Sequence, residues 1–260
     1  MIVGWVEERN PTIFLTYVGF RKASTQPTVP YLMYLLIIIT VIIITYLLLD
    51  KLAQTSKFQL LGQYFTKVNT QEYVVALTYD DGPNPPYTDQ LIDLLNQFGV
   101  KATFFTIGQN IEAHTQTIQN LVANGHEIGN HSYSHQKLIW KTPAFIRSEI
   151  SKTDELIRKL GVKQEILFRA PYGYKRFTLP YILNKMHKKN ILWNLDPKDY
   201  HASNPEVIAN YVISNVTPGA IILLHDGGGE RGTTIAATEI IVRTLQAQGY
   251  KFQTVSQMLK

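Results

Sequence analysis

Polar and apolar positions along the chain follow two different patterns. Tyr31 to Leu49 (YLMYLLIIITVIIITYLLL) runs for 19 residues without a charge. No polar face interrupts it, which argues against the buried helix of a soluble core. As a helix it would be roughly 28 Å long, about the thickness of a bilayer's hydrocarbon layer. Its β-branched residues are harmless in lipid, where the backbone must pair internally. Tyr31, Tyr34 and Tyr46 fall near its ends, where interfacial aromatics belong. The pattern predicts one transmembrane helix over residues 31–49. A cleaved signal peptide is the alternative, although the run is long for a signal core and no A-x-A-like site follows closely. Residues 1–30 form a short N-terminal segment without clear periodicity, and residues 50–71 read as a juxtamembrane connector.

From residue 72 onward, short apolar runs alternate with amphipathic ones. The runs Tyr73–Tyr79, Ala102–Thr106, His126–Gly129, Ile166–Ala170, Ile191–Leu195, Ala220–Leu224 and Tyr250–Thr254 read as buried strands. Thr88–Phe98, Gln109–Ala123, Pro143–Leu160, Pro205–Ser214 and Thr234–Gln248 read as helices. Gly99, Gly125, Gly161 and Gly249 punctuate helix ends, and Asn204-Pro205 is a candidate start. About seven strands alternating with helices imply an α/β fold with a parallel sheet. A distorted, incomplete (β/α) barrel over 72–260 fits best. A doubly wound open sheet is the alternative, without a G-x-G-x-x-G fingerprint after the first strand.

Composition narrows the chemistry. The 260 residues contain no cysteine, which excludes disulfides, thiolate zinc sites and cysteine nucleophiles. The net charge of +5 is uneven, +3 over residues 1–71 and +2 over residues 72–260, with no dense basic stripe to suggest nucleic acid. Polar residues instead collect after the strands. Thr78-Tyr79-Asp80-Asp81-Gly82-Pro83 follows the first strand and His131-Ser-Tyr-Ser-His135 the third. Arg169-Ala-Pro171-Tyr172-Gly173 ends the fourth. Asp196-Pro-Lys-Asp199-Tyr200 follows the fifth, and His225-Asp226-Gly-Gly-Gly229 the sixth. In parallel α/β folds the carboxyl ends of the strands share one face, and that face carries the chemistry. Two imidazoles four residues apart can grip one metal, and a carboxylate would complete a three-ligand catalytic set. Asp80 and Asp81 cannot both serve one role equally, because adjacent side chains on an extended segment point to opposite sides. Asp226 and its glycines could instead be only a flexible loop.

T-Y-D-D-G-P, H-S-Y-S-H, R-A-P-Y-G, D-P-K-D-Y and L-L-H-D resemble, in order, the five motifs of the polysaccharide deacetylases, carbohydrate esterase family four. The resemblance covers roughly residues 72–260. It departs at Tyr79, where Phe is common, and at Tyr200, where Trp is common. It implies that Asp81, His131 and His135 bind a divalent metal, zinc first, with Co2+, Ni2+ or Mn2+ as alternatives. Asp80 would be the general base, held ionised by Arg169. His225 would be the general acid, its pKa raised by Asp196. Leu223 would line a pocket for the acetyl methyl, and Tyr172 would offer its backbone N–H to the oxyanion. Pro171, Trp193 and Tyr200 would shape a sugar groove, although Trp193 also reads as core. Asp199 reads as mainly structural or groove-forming, and His126 as packed.

The implied activity is metal-dependent removal of N-acetyl groups from N-acetylglucosamine residues of a polysaccharide. Peptidoglycan is the first choice, ahead of chitin-type oligosaccharides and exopolysaccharides. A tethered enzyme acting on such a glycan implies a single-pass cell-membrane protein with its catalytic domain outside, partnered by the bilayer through residues 31–49. Two rivals follow from the residues. A non-haem iron oxygenase also uses two His and one carboxylate, but its His-x-Asp spacing is missing. A non-catalytic glycan-binding relative would be expected to have lost a ligand or the base, and all are present.

Overall fold

The structure is a computed structural model that describes residues 29–53, 59 and 61–260. The N-terminal segment before Val29 lies outside these, as do residues 54–58 and 60 of the expected connector. The chain divides between Thr45 and Tyr46 into two units. Helix α1 (Val29–Ala53) contains the expected 31–49 segment. Its stretch Pro30–Lys51 is long and apolar enough to cross a membrane.

The rest follows in chain order as β1 (Tyr64–Phe65), β2 (Val74–Asp80), α2 (Tyr87–Gln97), β3 (Thr103–Thr106), α3 (Gly108–Ala113), α4 (Thr115–Ala123), β4 (Glu127–Asn130) and α5 (Pro143–Lys159). A 3-10 turn at Pro171–Gly173 precedes α6 (Thr178–Lys185), β5 (Asn190–Ile191), α7 (Pro205–Asn215), β6 (Ala220–His225), α8 (Gly232–Ala247), β7 (Lys251–Phe252) and α9 (Val255–Met258). α5, α7 and α9 start where a side chain takes up a free backbone donor. Thr142 accepts from Phe145 N ahead of Pro143, and Asn204 accepts from Glu206 N ahead of Pro205. Each such cap contributes about 1 kcal/mol. Along α5, Ile146, Ile150 and Ile157 recur at helical spacing and bury one face.

The central sheet has the order β4-β3-β2-β6, and all its pairs are parallel. β7 joins the start of β2, and β1 pairs with β5. The remaining gap is spanned by single residue bridges, Asn130 to Phe168, Phe168 to Asn190 and Leu195 to Ile222. The sheet is therefore an incomplete, distorted barrel. Two expected strands shrink accordingly. Ile166–Ala170 pairs only at Phe168, through one bridge on each side, and Ile191–Leu195 pairs only near its two ends. The apolar content of these segments did predict burial, but not enough ladder to form regular strands. β1, α6 and α9 have no counterpart in the sequence reading.

Alternation along the strands decides what reaches the site. On β2, Val75, Leu77 and Tyr79 join one large cluster with α2, α4, α7 and α8. Val74 and Ala76 join the second cluster, with Phe105, Leu167, Ile191 and Ile221. The same second face of β2 continues into Thr78 and Asp80. On β6 it runs from Ile221 through Leu223 to His225. Each interior row thus starts apolar and ends polar at the carboxyl end of its strand.

Candidate active site

A cavity of about 500 Å3 opens at that end of the sheet, within the range of small-ligand sites. Asp80, Asp81, His131, His135, Leu223 and His225 all line it, with Tyr172, Trp193, Asp196 and Tyr200.

One side holds a potential metal site. One ligand atom each from Asp81, His131 and His135 lies within 4.8 Å of the others. Asp81 Oδ1 is 3.0 Å from His135 Nε2 and 3.4 Å from His131 Nε2. Despite these short distances, Asp81 Oδ1 is buried and makes no well-aligned hydrogen bond. Three lone-pair donors converging without hydrogen-bond alignment are what a cation requires. His131 Nδ1 lies 2.9 Å from the Arg169 carbonyl. A carbonyl only accepts, so Nδ1 carries the proton and Nε2 presents its lone pair to the shared point. Burial alone would raise the Asp81 carboxyl, but the two imidazoles outweigh it and hold the group well below the usual carboxylate range. Burial disfavours a charged His131, yet Asp80 and Asp81 outweigh it and raise its pKa.

The backbone pays for this arrangement. Asp81 has φ 73° and His135 φ 54°, left-handed values that cost a non-glycine residue energy and cluster at functional sites. The turn at Asp81 also corrects an expectation. Strict alternation would send Asp80 and Asp81 to opposite sides, but the left-handed residue ends the extended run. His131 Nε2 consequently lies 3.7 Å from Asp80 Oδ2 as well as 3.4 Å from Asp81 Oδ1. The His131–His135 loop is fastened from below. Asn130 Oδ1 accepts from Ser132 N, and Glu149 on α5 accepts from Tyr133 N, Ser134 N and the Ser134 hydroxyl.

Asp80 is held by Arg169. Arg169 is fully buried and donates from Nη1 to Asp80 Oδ1 at 2.7 Å and to Thr78 Oγ1 at 2.8 Å. Its Nε and Nη2 donate to the carbonyls of Ile191 and Leu192, and Phe105 lies under the guanidinium at 4.1 Å. Burial pulls the Arg169 pKa down and Asp80 opposes it, so the two charges sustain each other.

His225, the register neighbour of Asp80 on β6, departs from expectation. His225 pairs with Asp199, not with Asp196. Asp199 Oδ1 is 2.8 Å from His225 Nδ1, and Oδ2 accepts from His225 N and from the Thr234 hydroxyl. Asp196 Oδ1 instead accepts from Lys198 N at 3.0 Å, closing a turn in which Lys198 has φ 55°. That turn carries the chain onward and places the second aspartate of the D-P-K-D-Y motif beneath the ring. Burial would lower the His225 pKa, but the Asp199 bond and charge outweigh it and raise it, helped by Asp80 and Asp81. Asp196 still lines the cavity, and burial raises its carboxyl.

The other expected residues surround this centre. Leu223 is buried two residues before His225 and lines the cavity. Pro171 is buried, whereas Tyr172 is 52% exposed at φ 59° beside the His135 ring. Tyr200 packs its edge on the His225 ring at 5.1 Å. Trp193 is half-buried, touches the inner core cluster and also lines the cavity. His126 is buried, and burial, then Lys101, lowers its pKa to about 4.

The sequence reading missed Asp199 as the histidine's partner, because two aspartates three residues apart look alike until the turn between them is known. It also gave no role to Asp226 beyond a loop. Asp226 is buried beneath Gly82, accepts from the Thr88 hydroxyl at 2.6 Å, and burial pushes its carboxyl up to about 7. Arg231, two residues beyond the glycine run, was not singled out at all.

Comparison with known proteins gives concordant matches. Residues 67–191 match the family model described as polysaccharide deacetylase. A peptidoglycan-N-acetylglucosamine deacetylase of Bacillus cereus is 37% identical over 201 residues, covering 76% of this chain and 94% of the relative. A chitooligosaccharide deacetylase of Azorhizobium caulinodans is 31% identical over 205 residues, covering 74% and 97%. A crystal structure of a peptidoglycan N-acetylglucosamine deacetylase superposes with a TM-score of 0.72 at 32% identity, covering 75% of this chain and 92% of the other.

Proposed function

The chain belongs to the polysaccharide deacetylases of carbohydrate esterase family four, and from that premise we propose that it removes N-acetyl groups from N-acetylglucosamine residues of peptidoglycan with one divalent metal ion. It is an enzyme of the peptidoglycan or chitooligosaccharide deacetylase type. One observation supports the fuller reading. A three-donor cluster, an arginine-locked carboxylate and a carboxylate-backed imidazole line the same cavity.

In this reading Asp81, His131 and His135 hold the metal, zinc first. When bound, the ion supplies charge that polarises the amide carbonyl and acidifies water. Asp80, held by Arg169, accepts the proton of the attacking water. The Tyr172 backbone N–H faces the negative charge that develops on the amide oxygen. His225, charged through Asp199, donates a proton to the amide nitrogen as the C–N bond breaks. Acetate and a free sugar amine result. Leu223 gives the acetyl methyl an apolar wall, and Pro171, Tyr172 and Tyr200 border the sugar. No seryl nucleophile is used.

Helix α1 tethers the chain to the cell membrane in this reading, with residues 72–260 outside; a cleaved signal is the alternative. The test is to incubate the purified chain in detergent with zinc and a panel of peptidoglycan, chitin-type and exopolysaccharide glycans, and to measure acetate. Release that chelation stops and zinc restores is expected. Glycan binding without acetate from any of them would make this a non-catalytic member.

A further inference from the structure

One apolar cluster joins the start of α5 and the loop before it to α6. Leu138 and Ile146 pack there with Leu179, Ile182 and Leu183. The two segments so joined are basic. Residues 136–148 hold Lys137, Lys141 and Arg147 and no acid, and residues 166–195 hold six lysines and arginines and no acid. Packing, not proximity in the chain, makes them one surface. Arg169 is buried in the site, and Lys188 and Lys189 pair with Asp154 and Glu165. Lys137, Arg147 and Lys185 are exposed, and with Lys141 they form no ion pair among the described residues.

Aromatic rings stand among these cations. Lys141 lies over the Phe145 ring at 4.9 Å, and Lys185 over Tyr181 at 5.8 Å. Phe177 and Tyr181 are exposed, and Trp140 is 75% exposed. Trp140 also has φ 64°, a left-handed value that is an outlier for so bulky a side chain. The core gains nothing from that strain, because the indole lies outside it. A strained residue holding a large ring in water marks a surface shaped for a partner.

The anchor points to which partner. Arg176 lies over the Trp140 ring at 3.9 Å, donates to the Tyr46 hydroxyl at 3.1 Å and pairs with Asp50. Tyr46 and Asp50 belong to α1 and fold with the second unit. They mark where the apolar run ends, the level at which a spanning helix passes from hydrocarbon to headgroups. Through Arg176, Trp140 is within one side chain of that level. Indole and phenol rings flanked by lysines settle in the headgroup layer, and cations there attract anionic lipid. Lys137 lies over Tyr172 and Tyr174, which line the cavity, so the surface runs up to the cavity rim.

We propose that the α5–α6 surface around Trp140 docks the catalytic domain onto anionic lipid headgroups. This rests on the reading of α1 as a membrane tether and adds a second, electrostatic contact with the same bilayer.

The chain has no cysteine, so one introduced at exposed Ala144 on α5 carries a polarity-sensitive dye at that site alone. A second preparation carries the dye at exposed Arg243 on α8. The full chain is reconstituted in phosphatidylcholine vesicles with or without phosphatidylglycerol. In anionic vesicles the dye at 144 should shift to the blue and be quenched by headgroup-labelled lipid, and high salt should reverse both. The dye at 243 should report water throughout. Each cation at such a surface is worth about fivefold, so Lys141→Gln with Lys185→Gln should lower the docked-to-free ratio by about tenfold or more. Trp140→Ser should lower it as well. The wild-type dye decides the first point even where a variant fails to fold. A dye at 144 that reports water in anionic vesicles overturns the proposal. So does equal shielding by soluble polyglycerol phosphate in detergent, which would mark a surface for an acidic polymer. Alkaline carbonate extraction reads the tether separately. A chain that carbonate strips from vesicles, yet whose dye at 144 still responds to anionic lipid, would sink the tether and leave this surface standing.

Discussion

Asp80 and Asp199 are buried to the same degree, each 3% exposed; Asp80 lines the cavity, and Asp199 backs His225, the register neighbour of Asp80 on β6. Their partners differ. Asp80 faces Arg169, whose charge is permanent at any working pH. Asp199 faces His225, whose charge can be given away and regained. The same side chain at the same depth thus takes two parts. In the proposed chemistry the aspartate beside arginine is itself the base, and the one beside histidine tunes a histidine that acts. The environment of a carboxylate, more than its burial, sets its use.

The comparison can be broken at several points. The largest effect is expected from the three-donor cluster beside Asp80. His131→Ala or His135→Ala should lose metal and activity together, as read by metal analysis beside acetate release. Next is Arg169. Arg169→Leu leaves Asp80 buried without its cation, and breaking such a pair costs about 3–5 kcal/mol. A denaturant midpoint close to wild type would show that Asp80 does not depend on it.

The Asp199–His225 pair should respond differently. Asp199→Asn removes the charge that raises the His225 pKa. Activity that needs protonated His225 falls as pH rises through that pKa, so lowering it moves the fall to lower pH, by about one to three pH units. Asp196→Asn is the control with the smallest effect. It breaks a turn bond to Lys198 N and should leave the alkaline limb in place, with rates within about threefold. A limb that moves with Asp196 and not Asp199 would reverse the pairing seen here.

Much of this architecture was legible in the sequence, and the exceptions have physical causes. Strand positions β2, β3, β4 and β6 followed from unbroken apolar runs, because a sheet covered on both faces buries both sets of side chains. The segment around Phe168 was legible as buried but not as irregular, since apolar content does not record how many ladder bonds form. The five polar loops were legible because they sit at strand ends. What escaped was local turn geometry. Asp81 at φ 73° defeats strict alternation, and Lys198 at φ 55° decides which aspartate reaches His225. Neither residue is glycine, so no composition signal announced a left-handed turn. Arg231 escaped for another reason: that it lines the cavity and clips the Gly227 and Gly228 carbonyls is visible only in three dimensions.

The central claim is that adjacent aspartates do different work, Asp81 as ligand and Asp80 as base. Asp80→Asn and Asp81→Asn should therefore be compared by metal content and kcat on the same preparation. The account predicts that Asp80→Asn retains about one metal ion per chain while kcat falls about 10²–10⁴-fold, the usual contribution of a positioned base. Asp81→Asn should lose metal and activity in parallel. Full metal with near-normal kcat in Asp80→Asn, or metal loss from Asp80→Asn but not from Asp81→Asn, would contradict it.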